Sequence, residues 1–176
     1  MASTDPSVEP ENRKETPVLK LKFLSHGTLE SRDIETSRRF YQEFLGLEVV
    51  RTSRISLLIR LGCAHSIAVV QRRDKAVMSR LNHNGLDVSS EAEVDAAYQK
   101  VLEYADHYGL KNITRPAVQH GTYSFYFWDM DDNAWEILAN PDGGYSWLFE
   151  MGDQDGRGHL SRSFQRPAST LSNPKS

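Results

Sequence analysis

One pattern occurs twice in the 176-residue chain, and that repeat restricts the fold more than any single motif does. In the first copy, alternating Leu19, Leu21 and Phe23 predict a strand continuing through Leu24 to Leu29. Asp33 then caps a helix whose apolar face is Ile34, Phe40, Tyr41, Phe44 and Leu45, and Gly46 supplies a left-handed stop. Strand-like runs follow at 47–52, 55–61 and 65–71. In the second copy a short strand from near Asn82 carries Leu86 and Val88, and Ser90 with Glu93 forms a capping box. Val94, Ala97, Tyr98, Val101, Leu102, Ala105 and Tyr108 mark one helix face, closed by Gly109. Strands are predicted at 117–120, 123–129 and 134–138, with 130–133 as the last turn. Each copy therefore reads strand, helix, three strands: an α+β chain of two βαβββ modules, 19–75 and 82–140. In both, a histidine stands seven residues before the helix cap, His26 before Asp33 and His83 before Ser90.

Composition bounds the rest. Apolar residues make up 39% of the chain and charged residues 26%, but residues 1–18 hold only Met1, Ala2, Val8 and Val18 as apolar positions. Such a segment buries too little to offset its ordering entropy, so it is expected to be a disordered tail. The stretch from Gly156 onward lacks acidic residues and is rich in Ser, Arg and Pro, so 148–176 is expected to be mostly disordered as well. The domain is thereby placed at 19–147. A lone cysteine, Cys63, excludes an intrachain disulfide framework and suits a cytoplasmic protein. No apolar stretch approaches the roughly 20 residues that span a bilayer, and the first residues lack the order of a secretory signal. A net charge of −3 gives no reason to expect a nucleic acid or membrane partner.

Strand parity selects candidate site residues. Leu86 and Val88 must pack under the second helix, which sends His83 to the opposite face; His26 shares the corresponding parity in the first copy. In the last strand Trp135 and Ile137 take one face, while Ala134, Glu136 and Leu138 take the other. A carboxylate inside an apolar strand is costly to bury unless paired or bound to metal, which makes Glu136 the most informative residue. Two imidazoles and a carboxylate on one face form a metal triad with open positions. Each has a plainer alternative: hydrogen-bonded strand histidines, and a Glu136 paired with arginine.

Several segments, taken in order, resemble the vicinal oxygen chelate superfamily. Leu24-Ser25-His26, Asp33 through Tyr41 and Leu45-Gly46-Leu47 are similar to its opening module, and Phe125 through Ile137 to its closing hairpin. The resemblance spans roughly residues 20–140 and implies modules whose mixed sheets curl around a metal cavity, with His26, His83 and Glu136 as ligands. Met130 and Asp132 stand where that hairpin usually has Pro and Gly.

Within the superfamily, the resemblance points to the extradiol dioxygenase branch. The third strand after the first helix, His65 to Gln71, offers no acidic fourth ligand, and a three-ligand site matches dioxygenases and fosfomycin transferases better than glyoxalases. Phe125, Tyr126 and Glu136 fit the spacing of the extradiol signature, preceded by His120 with a spacer one residue short. This implies a metal at His26, His83 and Glu136, with His120 and Tyr126 catalytic. The cofactor would be Fe(II), with Mn(II), Zn(II) or Ni(II) as options, and the partners a small aromatic diol and O2. Three protein ligands leave adjacent positions for both reactants on one metal. The alternatives are a non-redox metalloenzyme of thiol transferase, glyoxalase or epimerase type, and a binding protein that sequesters a small ligand between aromatic walls. A homodimer or higher oligomer is expected, with the two modules pairing either within one chain or between chains. Residues 145–150 are read as a flap or a dimer contact.

Overall fold

The computed structural model describes residues 18–19, 23–62, 64–119, 121–141 and 143–152, without the side chains of Trp147, Glu150 and Met151. Most of both expected tails, Cys63 and His120 lie outside the described residues. The repeat appears as two four-stranded mixed sheets of the same topology. In the first, β1 (His26–Ser31), β4 (Ser66–Gln71), β3 (Ser56–Arg60) and β2 (Glu48–Ser53) lie side by side in that order, with β1 parallel to β4. In the second the order is β5 (Asn84–Val88), β8 (Ala134–Ala139), β7 (Thr122–Trp128) and β6 (Ala117–Gln119), with β5 parallel to β8. A parallel neighbour needs a crossover, and in each module the helical segment supplies it together with two intervening strands. The sheets remain open at their edges.

The first strand is shorter than its alternation predicts. It starts at His26, opposite Ser66, because β4 offers no partner before that point; Phe23 and Leu24 are exposed. The first helix also departs from a single α-helix. The Asp33 side chain caps α1 (Ile34–Arg39), after which Phe40–Phe44 forms a π turn with Leu45 N–H donating to the Phe40 carbonyl. Widening the last turn lets Phe40 and Tyr41 both enter the core, and Gly46 at φ 69° ends it. In the second module Ser90 caps α2 (Glu91–Glu103) and Glu93 returns a bond to the Ser89 N–H. The expected single helix breaks at Tyr104, and a short α3 (Ala105–Tyr108) follows, closed by Gly109 at φ 62°. Past the boundary expected at 147, α4 (Ser146–Met151) adds about one and a half helical turns. No helix among the described residues is long and apolar enough to cross a membrane.

One core joins both modules: Leu29, Leu57, Ile59 and Val69 from the first sheet, Phe125, Phe127, Trp135 and Ile137 from the second, with Phe40, Tyr41, Val94 and Val101 between. Fully burying each Phe stabilises by roughly 1.5–3 kcal/mol. The modules are also tied by the turn between β7 and β8. Asp129 accepts from the Asp131 and Asn133 N–H groups, the Asn133 amide and Trp135 Nε1. Asp131 accepts from the Arg32 N–H and from Ser37 Oγ, and Asn133 donates to the Glu30 carbonyl. Asp132 takes the left-handed conformation, φ 60°, that glycine would ordinarily fill. Its carboxylate receives Arg32 at 2.6 Å and Lys111 at 2.5 Å. The atypical turn thus trades glycine's freedom for two ion pairs, of which the Arg32 pair reaches the first module.

Candidate metal centre

Register places the chemistry on the face of the second sheet opposite the core. Phe125 pairs with Ile137 and Phe127 with Trp135, all four in the core, so the intervening Tyr126 and Glu136, paired with each other, point the other way. Gly85 of β5 lies opposite Glu136 across the parallel ladder, and His83, two residues earlier, emerges on the same side. Its Nε2 lies 2.9 Å from Glu136 Oε2, and its ring centroid is 5.0 Å from that of Tyr126. Glu136 is only 4% exposed, as its place in an apolar strand requires of a partnered carboxylate.

The histidine's orientation is fixed from behind. A 3-10 turn, Arg80–Asn82, is capped by the Ser79 side chain, and the Arg80 carbonyl lies 2.5 Å from His83 Nδ1. A carbonyl only accepts, so Nδ1 carries a proton and Nε2 is the atom left to face Glu136. A neutral Nε2 lone pair and a carboxylate oxygen are both acceptors. They can sit 2.9 Å apart only with a positive charge between them, a proton in the metal-free protein or a metal ion in its place. Nitrogen and carboxylate donors of this kind suit Mn, Fe, Zn or Ni. The residues present therefore fit two protein ligands of a divalent ion.

Tyr126 completes the cluster. Its hydroxyl hydrogen-bonds Glu136, and its ionisation is pushed well above the usual phenol range, by burial first and then by that bond and the Glu136 charge. Tyr145 is raised likewise by burial and the charge of Glu136. Around these groups lies a cleft of about 520 Å³ lined by Arg80, Leu81, His83, Gln119, Tyr126, Glu136, Tyr145, Leu148 and Phe149. Arg80, Gln119 and the residues of α4 have no motif of their own in the sequence. The only signal for Arg80 is its place three residues before His83, one turn of the segment that orients the imidazole.

His26 stands apart from this pair. It opens β1 in the other sheet, exposed, with Nδ1 2.7 Å from Ser25 Oγ. No group of three ligating side chains forms among the described residues of one chain. His65 instead shares a second crevice with His83, lined also by Ile59, Ser66, Asn84 and Trp135. His120 lies outside the described residues, so His83, Glu136 and Tyr126 are the expected site residues that one chain brings together.

No family model and no curated protein matches the chain. Solved structures do. The fosfomycin resistance protein FosX from Listeria monocytogenes, complexed with Mn(II) and sulfate ion, is 24% identical, with a TM-score of 0.56 over 70% of this chain and 94% of that one. FosX from Mesorhizobium loti is also 24% identical, with a TM-score of 0.55 over 70% of this chain and 96% of the other. A glyoxalase-like protein from Bacillus cereus, 20% identical, gives 0.56 over 67% and 99%. These likenesses give the chain the fold of the vicinal oxygen chelate superfamily, to which FosX and the glyoxalase-like proteins belong.

Proposed function

We propose that the protein is a divalent-metal enzyme whose chemistry needs no dioxygen, working on a small substrate in the cleft over Glu136. The observation that carries this reading is the His83–Glu136 pair: two acceptor atoms converging at 2.9 Å on a buried face, oriented by the Arg80 carbonyl. His83 and Glu136 are the ligands from one chain, and His26 of a second copy is the third, which makes the working form a homodimer. Exposure of His26 on a strand that opens an unclosed sheet supports this arrangement. The bound ion supplies Lewis-acid polarisation of a substrate oxygen.

The chain's own groups then divide the remaining work. His83 is held in one tautomer by the Arg80 carbonyl, so its Nε2 is committed to coordination and takes no part in proton transfer. Tyr126 keeps its proton, because burial and Glu136 oppose its ionisation; it serves as a hydrogen-bond donor and not as a base. Leu81, Leu148 and Phe149 give the cleft an apolar wall beside the polar pair.

The non-redox reading is preferred to ring cleavage because its support is the metal pair and the fold shared with FosX, a fosfomycin resistance protein, and with glyoxalase-like proteins. The dioxygenase reading draws in addition on His120 and iron. One experiment separates them. Protein purified without added metal is loaded with Mn(II), Zn(II), Ni(II) or, anaerobically, Fe(II), and assayed for thiol transfer, isomerisation and catechol cleavage. Close to one ion per chain and turnover undiminished without oxygen are expected. Oxygen consumption with catechols, confined to the iron form, would overturn the reading in favour of the dioxygenase, and absence of metal binding would favour a sequestering protein.

A further inference from the structure

The cleft mouth pairs an uncompensated cation with an apolar wall. Arg80 lines the cleft, and among the described residues no carboxylate forms an ion pair with it. Its guanidinium stands 5.4 Å from the Tyr126 ring centre, a cation–π contact that orients the charge without neutralising it. The backbone beneath is fixed at several points. Met78 N–H donates to the Asp132 carbonyl at 3.0 Å, Trp128 Nε1 donates to the Met78 carbonyl at 2.8 Å, and Ser79 Oγ accepts from Leu81 N–H at 3.2 Å. The guanidinium is therefore carried by the same short turn that orients His83. Beside it Leu81 is 89% exposed and Phe149 74% exposed, with Leu148 on the same wall. Large apolar side chains gathered at the mouth of a polar cleft are the usual lining of a small-molecule site.

We propose that Arg80 is the oxyanion receptor of this site, and that Leu81 and Phe149 hold a short apolar group, so the substrate is a small organic acid. The planar fork of a guanidinium takes carboxylate, phosphate or phosphonate oxygens in two parallel hydrogen bonds, and each leaves the Tyr126 hydroxyl and the metal pair to face the rest of the molecule. This rests on the metal-enzyme reading only for what happens after binding. The residue is a specificity determinant, since its backbone carbonyl and not its side chain serves His83.

The test is calorimetric titration of the full chain, metal-free and Mn(II)-loaded, with inorganic phosphate, phenylphosphonate and benzoate. Wild type should bind phenylphosphonate or benzoate more tightly than phosphate. Arg80→Gln should weaken every oxyanion about tenfold or more while Mn(II) affinity stays within about twofold, and Arg80→Lys should restore part of the loss. Leu81→Ser should erase the preference for the aryl compounds. Whichever of phenylphosphonate and benzoate binds better names the oxyanion. Unchanged oxyanion affinity in Arg80→Gln, or no oxyanion binding by wild type, overturns the proposal. Failure of Mn(II) to bind wild type overturns the metal-enzyme reading instead, and the metal-free titrations still decide the role of Arg80.

Discussion

Replacing Glu136 by Gln should stabilise the metal-free protein while abolishing its response to metal. In the metal-free wild type, His83 Nδ1 is committed to the Arg80 carbonyl, and a proton must lie between Nε2 and Glu136. The pair is buried on the carboxyl side only, with side-chain exposures of 28% for His83 and 6% for Glu136. Gln has the same shape: its amide nitrogen can donate to Nε2 and its oxygen can accept from Tyr126, so every polar atom keeps a partner without a charge. The exchange gives up a charge-assisted hydrogen bond for a neutral one, costing about 1 kcal/mol. It also removes the desolvation of a buried carboxylate, worth several kcal/mol in a dry interior and less here because His83 is partly open to water. The net is about 1 kcal/mol in favour of Glu136→Gln, a rise of about 0.5 M in the urea midpoint for a slope of about 2 kcal/mol/M. Mn(II) at a hundred times its Kd should add about 2.7 kcal/mol to wild type and almost nothing to the variant. Urea unfolding in EDTA and then in Mn(II), at one protein concentration, measures both. A variant less stable than wild type by 1 kcal/mol in EDTA, or stabilised by Mn(II) as much as wild type, would refute the reasoning.

Other outcomes follow from the same geometry. Tyr126→Phe deletes one donor to the buried Glu136, so it should cost about 1 kcal/mol in urea unfolding and lower turnover more than it lowers Mn(II) affinity. Burial pushes Asp129 up to about 6, against the Trp135 and Asn133 donors that lower it, from an unfolded value of 3.8. The folded state then holds this proton more tightly, so its contribution is fully present below pH 3.8 and about 3 kcal/mol is lost as pH rises through 6. Relative to Asp129→Asn, wild-type stability should fall across that window; a rise would contradict the assignment. Burial raises Asp132, but the Lys111 and Arg32 hydrogen bonds outweigh it and hold the carboxyl below its usual range. Asp132→Asn keeps a side chain that tolerates positive φ and loses both ion pairs, which are partly exposed, so about 1 kcal/mol should disappear and the difference should shrink in 1 M salt.

The repeat was legible because each module must bury one face of a sheet under one helix, and that requirement writes period-two and helical patterns at fixed order. Parity along β8 set Glu136 on the face away from Trp135 and Ile137 without any contact being known, and the β7 register brings Tyr126 to that same face. Parity also sent His83 to the face opposite Leu86 and Val88, and the parallel register of β5 on β8 is what brings it beside Glu136. What local pattern could not supply was long-range pairing. The start of β1 depends on where β4 begins its parallel ladder, so the strand expected to run on from Phe23 is first paired at His26, opposite Ser66. The π turn at Phe40–Phe44 and the break at Tyr104 arise from how aromatic side chains meet across modules, which helix periodicity does not encode. Arg80 was invisible for the opposite reason: an exposed arginine in a turn leaves no periodic trace, and its meaning comes from the cleft it overlooks. His26 has the parity expected of it and stands in the other sheet, away from the pair it would join within a single chain.

The composite site is the central claim, and mixing two inactive chains tests it directly. His26→Ala and Glu136→Gln chains, carrying different affinity tags and refolded together, should each bind no Mn(II) tightly when alone. In the mixed dimer, His26 of the second chain meets His83 and Glu136 of the first, so doubly purified heterodimer should bind close to one tight Mn(II) per dimer and regain up to half of wild-type turnover. Heterodimer that binds none, or a His26→Ala homodimer that holds Mn(II) as tightly as wild type, would contradict the account.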